Sequence, residues 1–196
     1  PLHAVSQQVE MAPVTVDPSN VQFAEPIQVL RDRIAEGNAS IADIKRAIII
    51  GKPGDVANVL SALYNMRANP MVRSLLFDMW REVKTGRADL PWDKLRHPVV
   101  RTALAAVMNR IAAGTIPEFM DYLHGQADSD IDLVRAQVAL ALGMTGYLED
   151  VPLLKQYAEG ESDYVAKSAI LGLGYVYQDE AKQVLIDLHE KYKGSA

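Results

Sequence analysis

The 196-residue chain contains no cysteine. This excludes disulfide bonds, thiolate nucleophiles and cysteine-based zinc sites, but it does not distinguish the cytoplasm from the periplasm. No apolar run approaches the roughly 18 residues of a membrane-spanning helix, and no signal-peptide pattern is visible. We therefore expect a soluble protein without direct membrane insertion, in either of those two compartments.

An excess of basic charge is also missing. The chain has 20 Lys and Arg residues against 25 Asp and Glu residues, which gives a net charge of −5. General nucleic-acid binders and proteins bound to anionic membranes need a basic surface, so the composition argues against both classes. Apolar residues make up 49% of the chain, which is ample for the core of one domain.

Motifs that carry chemistry are equally scarce. The Gly-Lys-Pro-Gly segment at 51–54 lacks the spacing of a phosphate loop, and His189 lacks a second histidine four residues later for a zinc site. The aspartates of 128–132 lack the glycine and the closing glutamate of a calcium loop. The Gly-x-Ser-x-Gly motif of a nucleophile elbow is absent from the sequence, and the carboxylates are too dispersed to nominate an acid–base pair. The sequence therefore predicts no catalytic residue, no cofactor and no metal site.

What the chain does contain is a ten-residue phrase that recurs in register. Its clearest copy, Val-Arg-x-x-Val-Ala-x-Ala-Leu-Gly, covers residues 134–143, and a second copy covers residues 165–174. Looser copies begin at Val72 and Val100. Apolar residues three and four positions apart share one face of a helix, while the alanines and glycines let a neighbouring helix approach closely. The phrase thus predicts helices that are packed between neighbours.

The segments between the copies also repeat, because Ile116-Pro117 and Val151-Pro152 occupy equivalent places. Each unit consists of a helix that begins at such a pair, a short polar turn, and a second helix that runs from Val-Arg to Leu-Gly. This unit resembles the HEAT repeat, in the short form of bilin-lyase-type proteins. The resemblance covers residues 98–177 and is weaker over 55–97 and 178–193. It implies an all-α fold, a right-handed α-solenoid of stacked helical hairpins.

The same pattern gives the domain organisation. Residues 1–24 lack helical periodicity and are predicted to form an extended leader or an N-terminal tether. Residues 25–193 are predicted to form a single HEAT-like domain, followed by a tail at 194–196. The irregular stretch around Trp92 interrupts the repeats, and we expect Trp80 and Trp92 to fill a gap where a first helix is shortened; a ligand-stacking role for Trp92 is the alternative. The second helices of the hairpins are predicted to begin near Ser40, Pro70, Pro98, Asp132 and Asp163.

Two groups of residues are candidates for partner binding. A basic residue recurs near the start of each second helix, namely Arg73, Arg101, Arg135 and Lys167. These side chains either meet an acidic or phosphorylated partner or form a structural ladder between repeats. The HEAT pattern is not kept in the last copy, where Ala166-Lys167 replaces the arginine. The second group consists of the tyrosines Tyr164, Tyr175 and Tyr177, because tyrosine combines an apolar ring with a polar hydroxyl at interfaces.

A repeat fold without a catalytic set favours a non-enzymatic protein-interaction scaffold or adaptor. Its partner would be a protein, with an acidic or aromatic peptide held on the inner face or along the basic edge, and not a nucleic acid. The alternative is a subunit of a lyase-type or other enzyme complex that holds a ligand in the solenoid groove, as the resemblance to bilin lyases suggests.

Overall fold

A computed structural model describes residues 26–82, 90–160 and 162–193 of the chain. Every regular element in these ranges is a helix, which confirms the predicted all-α class for that part of the protein. The predicted leader at 1–24 and the tail at 194–196 lie outside the described residues. The helices are α1 (Ile27–Ala35), α2 (Ile41–Ile50), α3 (Pro53–Ala62), α4 (Pro70–Arg81), α5 (Trp92–Leu95), α6 (Pro98–Ile111), α7 (Pro117–Gly125), α8 (Asp132–Thr145), α9 (Val151–Ala158), α10 (Asp163–Tyr175) and α11 (Asp179–Tyr192).

All five predicted starts of second helices coincide with helix starts, because local capping chemistry determines them. At α2 the backbone N–H of Asp43 donates to Ser40 Oγ, while the Asp43 carboxylate accepts from the Ser40 backbone N–H. At α4 the Asn69 side chain accepts from the backbone N–H of Met71, and Pro70 occupies the first turn, where its missing N–H costs no hydrogen bond.

Helices carrying the repeated phrase pack against one another in sequence. Helix α6 contacts α8, and α8 contacts α10, while α7 and α9 pack beside α8 and α10. The backbones of α8 and α10 approach so closely that a Cβ added to Gly143 would lie 2.3 Å from the Cα of Gly172. Val138 and Leu142 are fully buried in the core, as their spacing predicted.

In the first half of the chain, the packing differs from the prediction that the second helices α2, α4 and α6 follow one another in the stack. Helix α6 packs more extensively against α3 than against α4, although α4 precedes it in the repeat pattern. In the same region Lys94 Nζ donates to the carbonyls of Ile48, Ile49 and Gly51 at 3.1, 2.6 and 2.7 Å. These bonds fasten the chain before α6 to the C-terminal end of α2, next to the start of α3.

Candidate protein-interaction surface

Two adjoining depressions lie on the face formed by α3, α6 and α8, and we call them together the second-helix groove. They share Tyr64, Arg110 and Met144. The smaller depression holds about 100 Å³ and the larger one about 330 Å³. The lining is largely apolar and includes Ala103, Ala106, Val107, Leu140, Ala141 and Met144, with Ser61, Gln137, Thr145 and Tyr175 as polar members.

The parts of the groove on α6, α8 and α10 are built from equivalent positions of the repeated phrase, while Ser61 and Tyr64 come from α3 and the turn that follows it. Arg110, Met144 and Tyr175 each follow directly after the tenth residue of a copy, in α6, α8 and α10. Ala106 and Leu140 form a second equivalent pair, one helical turn earlier. Sequence reasoning identified Tyr175 but missed Arg110 and Met144. The position after the phrase was the signal that could have found both.

Aromatic contacts hold the polar rim of the groove. The Arg110 guanidinium lies 3.6 Å from the centroid of the Tyr64 ring, and the Arg67 guanidinium lies 4.4 Å from the same centroid. Such cation–π contacts restrict the arginine side chain without neutralising its charge. The exposed Arg110 therefore keeps a positive charge at the edge of an otherwise apolar depression.

Arg101, from the predicted basic series, is held within the chain. Its guanidinium lies 3.9 Å from the centroid of the Trp80 ring, and Nη1 donates to the carbonyl of Met79 at 3.3 Å. Removal from solvent lowers the pKa of Arg101, and the nearby carboxylate of Glu82 acts against that shift. Trp80 is itself buried and donates from Nε1 to Glu118 at 2.7 Å, which fits the predicted gap-filling role of this tryptophan.

The contacts of Arg135, in contrast, are with residues close to it in the sequence. Its guanidinium donates to the carbonyl of Ser129 at 2.8 Å and to the Asp132 carboxylate at 2.5 Å. Asp132 also accepts from the Ser162 hydroxyl at 2.5 Å, so the turns before α8 and α10 are tied together. Arg101 thus bonds a carbonyl of the preceding repeat, as a structural ladder would, whereas Arg135 bonds residues of its own repeat. Arg73 and Lys167 are exposed and form no side-chain hydrogen bond or ion pair with the described residues.

The three candidate tyrosines lie on the surface but not in one place. Tyr164, Tyr175 and Tyr177 are 54%, 45% and 86% exposed. Of the three, Tyr175 lines the second-helix groove, at the edge formed by Ala113 and Thr145. The structure therefore joins one residue of the predicted set to a concave site. Trp92, the proposed alternative for ligand stacking, is partly buried against the core.

Among the described residues, Arg110 is the charged side chain that lines this groove. Asp150 is the most buried carboxylate among the described residues, and its Oδ1 lies within hydrogen-bond distance of His124 Nε2, at 2.7 Å. Both side chains lie in a different depression, with Pro117 and Met120. Within residues 26–82, 90–160 and 162–193, no three His, Asp or Glu side chains converge as a metal site would require. None of the helices described is long and apolar enough to cross a bilayer.

Comparisons with known proteins add no assignment. No protein-family model, curated protein or solved structure matches this chain. The likeness to HEAT repeats accordingly remains a prediction from the repeated phrase.

Proposed function

We propose that the chain is a short right-handed α-solenoid of the HEAT type that acts as a non-enzymatic scaffold. Its partner is a protein segment bound in the second-helix groove. The observation that carries this proposal is the construction of the groove. On α6, α8 and α10 its lining comes from equivalent repeat positions, and Met144 and Tyr175, which share one of these positions, remain accessible to solvent.

The chemistry of the groove indicates which segment fits. Its smaller depression, at about 100 Å³, is about the size of one aliphatic side chain, and its larger one, at about 330 Å³, lies at the lower end of the roughly 300–1,000 Å³ of small-molecule sites. Apolar walls favour a leucine or aromatic anchor, and Arg110 at the rim favours a neighbouring carboxylate. A peptide or helix with one large apolar residue beside an acidic residue combines the two features.

The basic edge is a weaker candidate for the same role. Two of its four members, Arg101 and Arg135, use their guanidinium groups within the chain, and this leaves Arg73 and Lys167 for an external ligand. Two isolated surface charges contribute mainly to the rate of association. The proposal of an enzyme subunit that holds a ligand has no support in the described residues.

The test compares two substitutions of the same type. Met144→Glu places a carboxylate in the groove beside apolar walls, whereas Met71→Glu places one on the exposed first turn of α4. Each tagged protein is expressed in the cells that make it natively, and co-purified proteins are quantified by mass spectrometry. We expect Met144→Glu to reduce recovery of a specific partner at least tenfold, in line with the loss of roughly 1.4 kcal/mol or more of binding free energy.

Folding controls and an edge variant complete the comparison. The thermal midpoint of both variants should stay near that of the parent chain, because Met71 is exposed and Met144 only half-buried. The Arg73→Glu, Lys167→Glu double variant tests the basic edge. If Met144→Glu leaves partner recovery unchanged and the double variant abolishes it, the proposal that the partner binds in the second-helix groove is wrong. Binding would then be assigned to the basic edge.

A further inference from the structure

A depression of about 340 Å³ lies between α7 and the segment that leads into α9, and we call it the acidic depression. Its lining includes Met120, Asp121 and His124 of α7, and Tyr147, Glu149 and Asp150 of the segment before α9. Met120 and Asp121 lie four and three positions before His124, so the three side chains share one face of α7. No residue of this lining belongs to the second-helix groove, so the two surfaces are separate.

The lining of the acidic depression carries an excess of negative charge. Three carboxylates and one histidine line it, but no lysine or arginine does. Asp121 and Glu149 are exposed, and their carboxylates form no hydrogen bond or ion pair with the described residues. A cleft lined by charges of one sign concentrates ions of the opposite sign. The acidic depression therefore favours a cationic ligand.

Asp150 gives a second, independent indication of a ligand. Its side chain lines the depression although it is only 6% exposed. Oδ1 lies 2.7 Å from His124 Nε2, but Oδ2 has no hydrogen-bond partner among the described residues, and the side chain does not cap α9. A buried carboxylate oxygen without a donor is costly, because its hydrogen bonds to water are lost and not replaced. An N–H donor bound in the depression supplies the missing hydrogen bond.

The shape of the site favours an elongated cation over a bare metal ion. No three His, Asp or Glu side chains of residues 26–82, 90–160 and 162–193 converge as metal ligands, so these carboxylates do not meet at one point. The lining extends over two turns of α7, from Pro117 to His124, which is roughly 10 Å along the helix axis. Pro117, Met120 and Tyr147 add apolar surface, against which methylene groups can pack.

We propose that the acidic depression binds an alkylammonium chain, the chemical group shared by a lysine side chain of another protein and a free aliphatic diamine. The ammonium group donates to Asp150 Oδ2, and the methylene groups lie against Pro117 and Met120. Asp121 and Glu149 attract the cation at the exposed edge of the site. The ligand is opposite in charge to the carboxylate expected beside Arg110, so the two surfaces bind different chemical groups.

The test follows the methionine methyl groups of the full chain by NMR, because Met120 lies in the acidic depression and Met144 in the second-helix groove. The cationic probes are 1,5-diaminopentane and Nα-acetyl-lysine methylamide, and the neutral control is N-acetyl-norleucine methylamide. We expect both cationic probes to shift the Met120 signal saturably and to leave the Met144 signal in place. The neutral probe should shift neither signal. The cationic probe that binds more tightly identifies the source of the ligand, a protein side chain or a free amine.

Three variants make the result specific. Asp150→Asn should weaken binding of both cationic probes by roughly tenfold or more, because Oδ2 loses its charge. The Asp121→Asn, Glu149→Gln double variant changes exposed residues only, so it should keep the thermal midpoint of the parent chain and weaken binding by roughly threefold or more. The matched control is the Asp93→Asn, Glu180→Gln double variant, which removes two exposed charges outside the depression and should leave binding unchanged.

Three results would overturn the proposal. The first is a Met120 signal that neither cationic probe shifts saturably, or that the neutral probe shifts equally. The second is equal weakening by the two double variants, which would show that the net charge of the chain attracts the probes and that the depression does not. The third is a shift of Met144 in place of Met120. If Asp150→Asn unfolds the chain, the comparison of the two double variants decides. None of these results depends on whether a partner occupies the second-helix groove.

Discussion

Tyr157 shows how a single side chain joins neighbouring repeats. Its hydroxyl donates to the carbonyl of Ala127, thirty residues earlier, in the turn before α8. Burial raises the pKa of Tyr157 to about 12, with a further contribution from the Asp128 carboxylate, while Arg135 acts in the opposite direction. The neutral phenol is therefore favoured in the folded state.

This shift predicts a loss of stability at high pH. Between pH 10 and 12 the phenol of Tyr157 ionises in the unfolded chain but stays protonated in the folded chain. Ionisation therefore stabilises the unfolded state and lowers the free energy of unfolding. The contribution of the neutral phenol to the free energy of unfolding is complete below pH 10 and is lost as the pH rises towards 12. By pH 11 the free energy of unfolding should have fallen by on the order of 1 kcal/mol. Urea titrations at pH 7, 9 and 11 measure the free energy of unfolding of the parent chain and of the Tyr157→Phe variant.

The phenylalanine variant separates this phenol from the other groups that titrate in the same range. At pH 7 it should cost about 1 kcal/mol, because the carbonyl of Ala127 loses its donor. Between pH 9 and 11 its stability should fall less than that of the parent chain. Parallel pH profiles for the two proteins would show that Tyr157 ionises normally in the folded state.

Residue roles of this kind were only partly predictable from the sequence. Tyr122 and Tyr157 each lie five residues after the proline of an equivalent Ile-Pro or Val-Pro pair, which predicts that both pack inside, and Tyr157 is buried. The role of Arg101 was left open between ladder and binding site, because its partner Trp80 lies 21 residues earlier and belongs to another helix. Periodicity places a side chain on a helix face, but the neighbour on that face is decided by tertiary packing.

At the scale of helices, the sequence was more informative. Helix starts depend on local chemistry, and residues such as Ser40 and Pro98 encode it within one turn. The pairing of α6 with α3 was not predicted, and neither were the three hydrogen bonds from Lys94 to the end of α2, more than 40 residues earlier. No local pattern carries such a long-range contact.

Two glycines at equivalent positions give a matched test of helix packing. Gly143→Ala should destabilise the fold by about 1–3 kcal/mol, because the added methyl group overlaps the backbone of α10 at Gly172. Gly174→Ala should stabilise it by about 0.5–1 kcal/mol, because alanine favours the helix and meets no described atom there. Urea titrations measure both. Effects of the same sign would mean that α8 and α10 are not as closely packed as described.

At the scale of the whole molecule, stability is carried from one helix to the next. Helix α8 lies between α6 and α10, and α10 also contacts α9 and α11. In an arrangement of this kind a local defect weakens both neighbouring contacts. The second-helix groove spans α3, α6 and α8, so its shape depends on the same contacts.

Leu142→Ala should therefore act beyond its own helix. Leu142 is fully buried, and its truncation should cost about 2–5 kcal/mol through lost burial and a residual cavity. Hydrogen exchange should speed up in α6 and α10 as well as in α8, because both pack against the altered face. Leu171→Ala is the control, since Leu171 is 61% exposed and its loss should change stability by less than about 0.5 kcal/mol. Faster exchange confined to α8 would mean that the helices fold as independent units, and the groove would then lack the rigid walls that partner binding needs.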